Sequence, residues 1–334
     1  MKKVGLVFIL TLLFFSSWSS SAGAEYLTLQ HHVSTNHPWQ IGCEFLAEEL
    51  TRQTKGEISL TIFPHGVLAG QDPNRIMEQV QGGFVDLGLA SPIVLASRVE
   101  EILALYTPFL FDDVDHFNRF RYQLPHQLEG IWTQFHRHNL QVIGLWPYPF
   151  RQQANTQRPI RTPADLKGLR LGIPPGDFFL ETAEVLGFQP VAFDAEDIYT
   201  AMEMGTIQGG VYDLNTLYGT GVYQTAKYFT LWDFMSEGVL VVMNKDRWDS
   251  LTPELQGIIT EVTEQAGEIV LAAAKEEELL NMEKMEETGV LFSLLTEEER
   301  ASFREMVQPI WEKMAQLLGA SQFEAMVEAV EDAR

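Results

Sequence analysis

The sequence predicts a two-lobed α/β fold, each lobe a mostly parallel sheet covered by helices, with one long helix spanning both lobes. Three observations predict it. Apolar strand patterns alternate with helical ones in two separate stretches of the chain. A single helical pattern runs from Thr252 to about Glu287, which at 1.5 Å per residue is roughly 50 Å and longer than one lobe. The roughly 310 residues after Ala24 exceed one compact core and divide into lobes of about 150.

The first residues stand apart from that fold. Met1-Lys2-Lys3 precedes residues 4–15, which carry no charge, and a serine-rich stretch then leads to Ala22-Gly23-Ala24. A basic start, an apolar run too short to span a membrane and small residues before Glu25 predict a secretory signal peptide over residues 1–24, cleaved near Glu25. No later segment is long and apolar enough to cross a bilayer, so stable membrane insertion is not expected. Losing Lys2 and Lys3 takes the net charge from -23 to -25, which disfavours nucleic acid and anionic lipid as partners. Cys43 is the only cysteine and reads as a small buried hydrophobe, so no internal disulfide is available.

In the first lobe, residues 26–30 alternate as a half-buried strand. His37-Pro38 opens a helix with Trp39, Cys43, Leu46 and Leu50 on its apolar face, and Gly56 ends it. Ile58, Leu60 and Ile62 form the next strand, Ile76, Met77 and Val80 mark a helix stopped by Gly82-Gly83, and residues 86–90 form a short strand that turns at Ser91-Pro92. Residues 99–124 are weakly patterned; helix and strand then carry the chain through residues 141–145 to Trp146.

The second lobe repeats the alternation: strand 170–173, helix 178–186 ended by Gly187, strand 189–193, helix 198–204 ended by Gly205, strand 209–212. Residues 238–244 are apolar enough for a fully buried strand returning to the first lobe. Thr252-Pro253-Glu254 supplies a hydroxyl cap and a first-turn proline for the long helix, with two shorter helices broken at Gly267 as the alternative. Residues 296–333 read as amphipathic helix with Phe303, Met306, Ile310, Trp311 and Met314 facing inward. The expected division is 25–147 plus 236–272 in lobe I and 148–235 plus 273–334 in lobe II, the two strand crossings acting as hinge.

Ligands in such folds gather at the carboxyl ends of strands, here His31, Ser91 and Trp146. Just beyond the last of these, Arg151 follows Trp146-Pro147-Tyr148-Pro149-Phe150. A guanidinium among rings can seat a carboxylate bidentately, and more strongly where water is excluded. The alternative is an arginine that caps a carbonyl at the surface or at the edge of the core.

The motifs His37-Pro38, Gly56-Glu57-Ile58, Phe63-Pro64-x-Gly66, Glu78-Gln79-Val80 and Pro108-Phe109-Leu110-Phe111 recur in one family, as do Phe150-Arg151, Arg158-Pro159-Ile160, Asp165-Leu166-Lys167-Gly168-Leu169, Tyr199-Thr200-Ala201-Met202 with Gly205, and Asn244-Lys245-x-x-Trp248. In their order and spacing the chain resembles the substrate-binding subunit of tripartite ATP-independent periplasmic (TRAP) transporters, the DctP type. The resemblance covers nearly the whole chain after the signal region. It implies a two-lobed periplasmic-binding-protein fold that captures a small organic acid by closure in the periplasm and delivers it to integral membrane TRAP permease subunits. Arg151 falls on a family arginine that contributes to binding acids.

Two departures from the family pattern bear on the ligand. The usual Lys-x-Arg on the strand after Asp-Leu-Lys-Gly-Leu is Arg170-Leu171-Gly172 here, so the principal carboxylate-binding cation is missing. Arg170 shares a face with Gly172 and either replaces that cation in part or faces solvent. The usual Asp-Gly-Gln-Glu-Asn-Pro is replaced by Gln208-Gly209-Gly210-Val211-Tyr212-Asp213, which puts Tyr212 at the asparagine position and Val211 where an acid helps some members hold a metal. No metal and no cofactor are expected. Gly172 is expected to create room, and Trp146, Tyr148, Phe150, Phe178, Tyr212, Trp232 and Phe234 are candidate walls for a monocarboxylate with an apolar or aromatic part, unless most of these rings are lobe core. Pro174, Asp213 and Asn215 complete the expected ligand contacts.

His31, His32, His37 and His65 cannot all converge on a metal, since adjacent residues on a strand point to opposite faces. No Gly-x-Ser-x-Gly elbow, His-Glu-x-x-His helix, P-loop or Gly-x-Gly-x-x-Gly is present, so no catalytic residue emerges and a secreted hydrolase is the weaker reading. A binding module that reports to a membrane sensor fits the same residues as a transport subunit.

Overall fold

A computed structural model describes residues 25–123 and 129–334. The expected signal peptide and Leu124 lie outside the described residues. Two sheets organise the chain, in agreement with the expected two-lobed α/β class.

Lobe I is built on a five-stranded sheet in the order β2-β1-β3-β10-β4. Strands β1 (Glu25–Gln30), β2 (Ile58–Phe63) and β3 (Leu87–Ala90) run parallel. β10 (Glu237–Asn244) enters antiparallel between β3 and β4 (Leu140–Tyr148), with every residue after Glu237 buried. Helix α1 (Pro38–Gln53) buries Trp39, Cys43, Leu46 and Leu50 as the sequence predicts, and α2 (Pro73–Gln81) ends at Gly82. Past β3 comes α3 (Pro92–Leu95), the weakly patterned stretch then forms a 3-10 helix over Glu100–Tyr106 and α4 (Val114–Arg121), and α5 (Glu129–Arg137) leads into β4.

Lobe II carries a six-stranded sheet in the order β11-β9-β5-β8-β6-β7. After β5 (Gln152–Asn155) and the short α6 (Pro163–Leu166), the alternation follows expectation: β6 (Arg170–Ile173), α7 (Asp177–Leu186) capped by left-handed Gly187, β7 (Gln189–Ala192), α8 (Ile198–Glu203), β8 (Gly209–Tyr212), then α9 (Leu214–Gly219) and β9 (Tyr228–Leu231). Strand β5 gives no apolar signal because three of its four buried side chains are polar. Gln152 donates to Asp233 (2.8 Å) and accepts from the backbone of Trp232, while Asn155 donates to the Arg158 carbonyl.

Each sheet thus contains one strand reversed relative to its neighbours, and each reversed strand follows a crossing between lobes. The crossings are residues 149–151 and 232–236. They are hydrogen-bonded to each other, Arg151 N to Met235 O (3.2 Å) and Phe234 N to Arg151 O (3.3 Å).

After α10 (Lys245–Asp249), helix α11 (Pro253–Glu287) is continuous over 35 residues and starts at Thr252, whose hydroxyl accepts from Leu255 N. Gly267 does not break it. A Cβ there would lie 3.0 Å from both Arg121 and Trp146, so the glycine admits side chains from lobe I against the helix. The Trp146 indole donates to Thr263 O on the same helix (2.8 Å). Farther along, Asn281 donates to Asn215 (3.0 Å) and Asn215 to Ala274 O (3.2 Å), which ties the helix to α9 of lobe II.

The expected C-terminal helix is three helices after the edge strand β11 (Leu291–Leu294): α12 (Glu297–Met306), α13 (Gln308–Leu318) and α14 (Ala320–Asp332). Pro309 falls in the first turn of α13, where its missing N–H costs nothing, and Gly319 at φ 91° opens α14. Phe303, Ile310 and Met314 are buried as expected, whereas Met306 is exposed and Trp311 half-buried. These helices do not keep to one lobe. α13 packs on both Glu100–Tyr106 and α7, and α14 on α4.

Candidate functional site

A cleft of about 580 Å³ opens between the two sheets. Lobe I contributes the end of β1 and the start of α1, with His32, Ser34, His37 and Trp39, together with Ser91 and Tyr148. Lobe II contributes Pro174 after β6, Tyr212 at the end of β8 and Asp213 after it, and Asn215 on α9. Arg151 comes from the first crossing, Glu237 opens β10 just after the second, and Glu277 comes from α11.

Arg151 is largely buried, its side chain 11% exposed, and faces this cleft. It does not stand free. Its guanidinium pairs with Glu237, whose other oxygen accepts from the Tyr106 hydroxyl (3.2 Å). The guanidinium lies 5.0 Å from the ring centre of Phe179 and 5.7 Å from that of Tyr212. Its Nε, also buried, has no partner.

Electrostatics follow from this packing. Burial pushes the Glu237 carboxyl up to about 7, against the pull of Arg151 and helped by Asp213. Asp213 is raised by burial too, with bonds from Thr216 and the charge of Arg151 opposing the shift. For Arg151 burial favours losing the proton, but Glu237, Tyr106, Tyr212 and Asp213 together outweigh it and hold the guanidinium charged. His32 and His37 are neutral, burial lowering them to about 4 and about 3.

Several expected contacts lie elsewhere. Trp146 is fully buried behind the cleft, bonded to α11. Phe150 packs on Phe111 and Phe117, and Trp232 on Phe109, Phe234 and Phe303. These rings are core because the crossings pass through the packed centre between the lobes. Phe178 is buried beside Phe179, and it is Phe179, one position on, that meets Arg151. Phe234 lines only a small hollow behind Arg151, which Phe179 and Pro174 share. His31 is fully buried, bonded to Gln40 (2.7 Å), and its neighbour His32, past the end of β1, takes the cleft position.

Gly172 creates no room. A Cβ there would lie 3.1 Å from Ile207 and 3.5 Å from Ile198, which fill the space. Arg170, on the same strand face, donates to Gly205 O (2.9 Å) and supplies no cation to the cleft.

Sequence reasoning missed Glu237, Trp39, His32 and Phe179. Glu237 had a signal, a lone charge opening an otherwise apolar buried strand. Trp39 sits in the first turn of α1, and nothing in a helical pattern separates a core position there from a cleft wall. No group of three or more His, Cys, Asp or Glu side chains among the described residues is arranged to hold a metal, and no described helix is long and apolar enough to cross a membrane.

Two sheets, strand crossings between them and a cleft lined from both sides define a two-lobed solute-binding protein. Residues 29–317 match the profile of DctP, the bacterial extracellular solute-binding protein family 7, and the chain belongs to that family, the substrate-binding subunits of TRAP transporters. Its members are transport proteins that bind substrate, not enzymes. The chain is 27% identical over 302 residues to the 2,3-diketo-L-gulonate-binding periplasmic protein YiaO of Escherichia coli, covering 89% of this chain and 88% of that one. It is also 27% identical over 322 residues to the C4-dicarboxylate-binding periplasmic protein DctP of Vibrio cholerae, covering 92% and 91%. A TRAP periplasmic solute-binding protein from Ochrobactrum anthropi shares the fold with a TM-score of 0.87 at 23% identity, covering 93% and 96%.

Proposed function

We propose that this protein captures a small organic acid between its lobes in the periplasm, after cleavage of residues 1–24, and hands it to TRAP permease subunits in the membrane. The observation that carries the reading is Arg151, a buried guanidinium at the crossing between lobes that faces the cleft with its Nε unpartnered. The names of the two relatives above, binders of a sugar acid and of C4-dicarboxylates, support an acid ligand. The ligand is a monocarboxylate with an apolar or aromatic part, held by Arg151 and walled by Trp39, Tyr148 and Tyr212. Ser91, Pro174, Asp213 and Asn215 are the further contacts. Closure follows binding, with the two crossings as the hinge.

The test is calorimetric. Arg151→Lys keeps a cation beside Glu237 but loses the planar fork, so the fold is expected to survive while affinity for the acid that co-purifies falls at least tenfold. Unchanged affinity overturns the reading. Loss of uptake on deleting the gene separates transport from sensing.

A further inference from the structure

The charges in the cleft wall are out of balance for a simple anion. Arg151 is the one lysine or arginine among the described residues lining the cleft, whereas Glu196, Asp213, Glu237 and Glu277 bring four carboxylates. Glu237 already occupies the guanidinium. An incoming carboxylate that takes over Arg151 strips Glu237 of its cation next to Asp213, so Glu237 then either stays a costly buried charge or takes up a proton. A second negative group on the ligand adds to that cost. A ligand with its own cation removes it. Its carboxylate replaces Glu237 on Arg151, its cation meets the released Glu237 and Asp213, and every buried charge has a partner.

The rings of the wall suit the same chemistry. Tyr148 stacks on neutral His37 with centres 5.3 Å apart, and Trp39 stands edge-on to Tyr148 at 6.4 Å. Aromatic faces attract a cation, more so where water is excluded. The wall also holds unused donors. Trp39 Nε1, on a residue only 9% exposed, and Arg151 Nε have no partner, and the acceptor oxygens of a carboxylate would complete them.

Resting on the reading of Arg151 as the acid-binding cation, we propose that the cleft takes a zwitterion, a small carboxylic acid that also carries a cationic nitrogen. The test is a calorimetric panel of amino acids and betaines, each matched with its nitrogen-free acid and with a dicarboxylate of the same length. At least one zwitterion is expected to bind and to lose at least tenfold in affinity when the nitrogen is removed; amines against quaternary nitrogens then show which cation is read. Glu237→Gln should invert the order, weakening the zwitterion and tightening the nitrogen-free acid by freeing Arg151. If that variant does not fold, Asp213→Asn, which keeps a helix cap, should weaken the zwitterion likewise. The proposal falls if no zwitterion binds, or if hits keep their affinity without the nitrogen. In that event, nitrogen-free acids that weaken in Arg151→Lys leave the acid-receptor reading standing, and ligands indifferent to Arg151→Lys overturn it too.

Discussion

Strand β6 and the crossings between the lobes each carry an arginine that the sequence offered to the ligand, and the molecule treats them differently. Arg170 on β6 turns to the Gly205 carbonyl outside the cleft, and Gly172 beside it is closed over by Ile207. Arg151 stays in the cleft, buried against Phe179 and Tyr212 and neutralised by Glu237. The difference lies in the counter-charge. A surface arginine needs one carbonyl and water, whereas a buried one folds with an internal carboxylate, which then becomes part of what the ligand must satisfy.

Breaking the buried side of this comparison should give the largest effect. Arg151→Ala leaves Glu237 uncompensated and is expected to cost about 3–5 kcal/mol in urea denaturation. Removing both charges, as Arg151→Met with Glu237→Leu, should restore much of that loss, and a double variant as unstable as the single one would contradict the pairing.

The proton on Glu237 gives a second lever. Its native pKa, about 7, lies above the unfolded value, so the native state binds more protons in between. Stability from this group is therefore full below about 4.5 and lost as pH rises through about 7. The advantage of wild type over Glu237→Gln should shrink by an order of 1–3 kcal/mol across that window, measured as the difference in denaturation free energy. His32 and His37 are lowered, so they act in the opposite sense, losing stability as pH falls below about 6.5, and they cancel in the difference.

On the β6 side, Gly172→Arg tests whether the missing family cation can be put back. With Ile207 3.1 Å from the new Cβ, overpacking of about 1–3 kcal/mol and no gain in affinity for acids are expected. Arg170→Ala should be the smallest change, within about 0.5 kcal/mol by thermal denaturation and without effect on binding.

Most of the fold was legible in local patterns. Strands β1 and β6, α1 with its four buried apolar positions, and the capped start of α11 follow from periodicity and end signals. What escaped depends on partners far along the chain. β5 is buried but polar, and β11 is an edge strand with Leu291 and Leu294 exposed. The site divides the same way. The Arg151 position was visible from its aromatic neighbourhood, yet that neighbourhood misled about walls, because Trp146, Phe150 and Trp232 serve the core joining the lobes. Glu237 pairs across more than eighty residues of chain, which no spacing rule reaches.

The most direct test of the central claim is a crystal structure of the protein with its co-purified or best-binding acid. The ligand carboxylate should lie within hydrogen-bond distance of the Arg151 guanidinium, with Glu237 released from it. An acid group held elsewhere in the cleft, with Arg151 still paired to Glu237, would contradict the account.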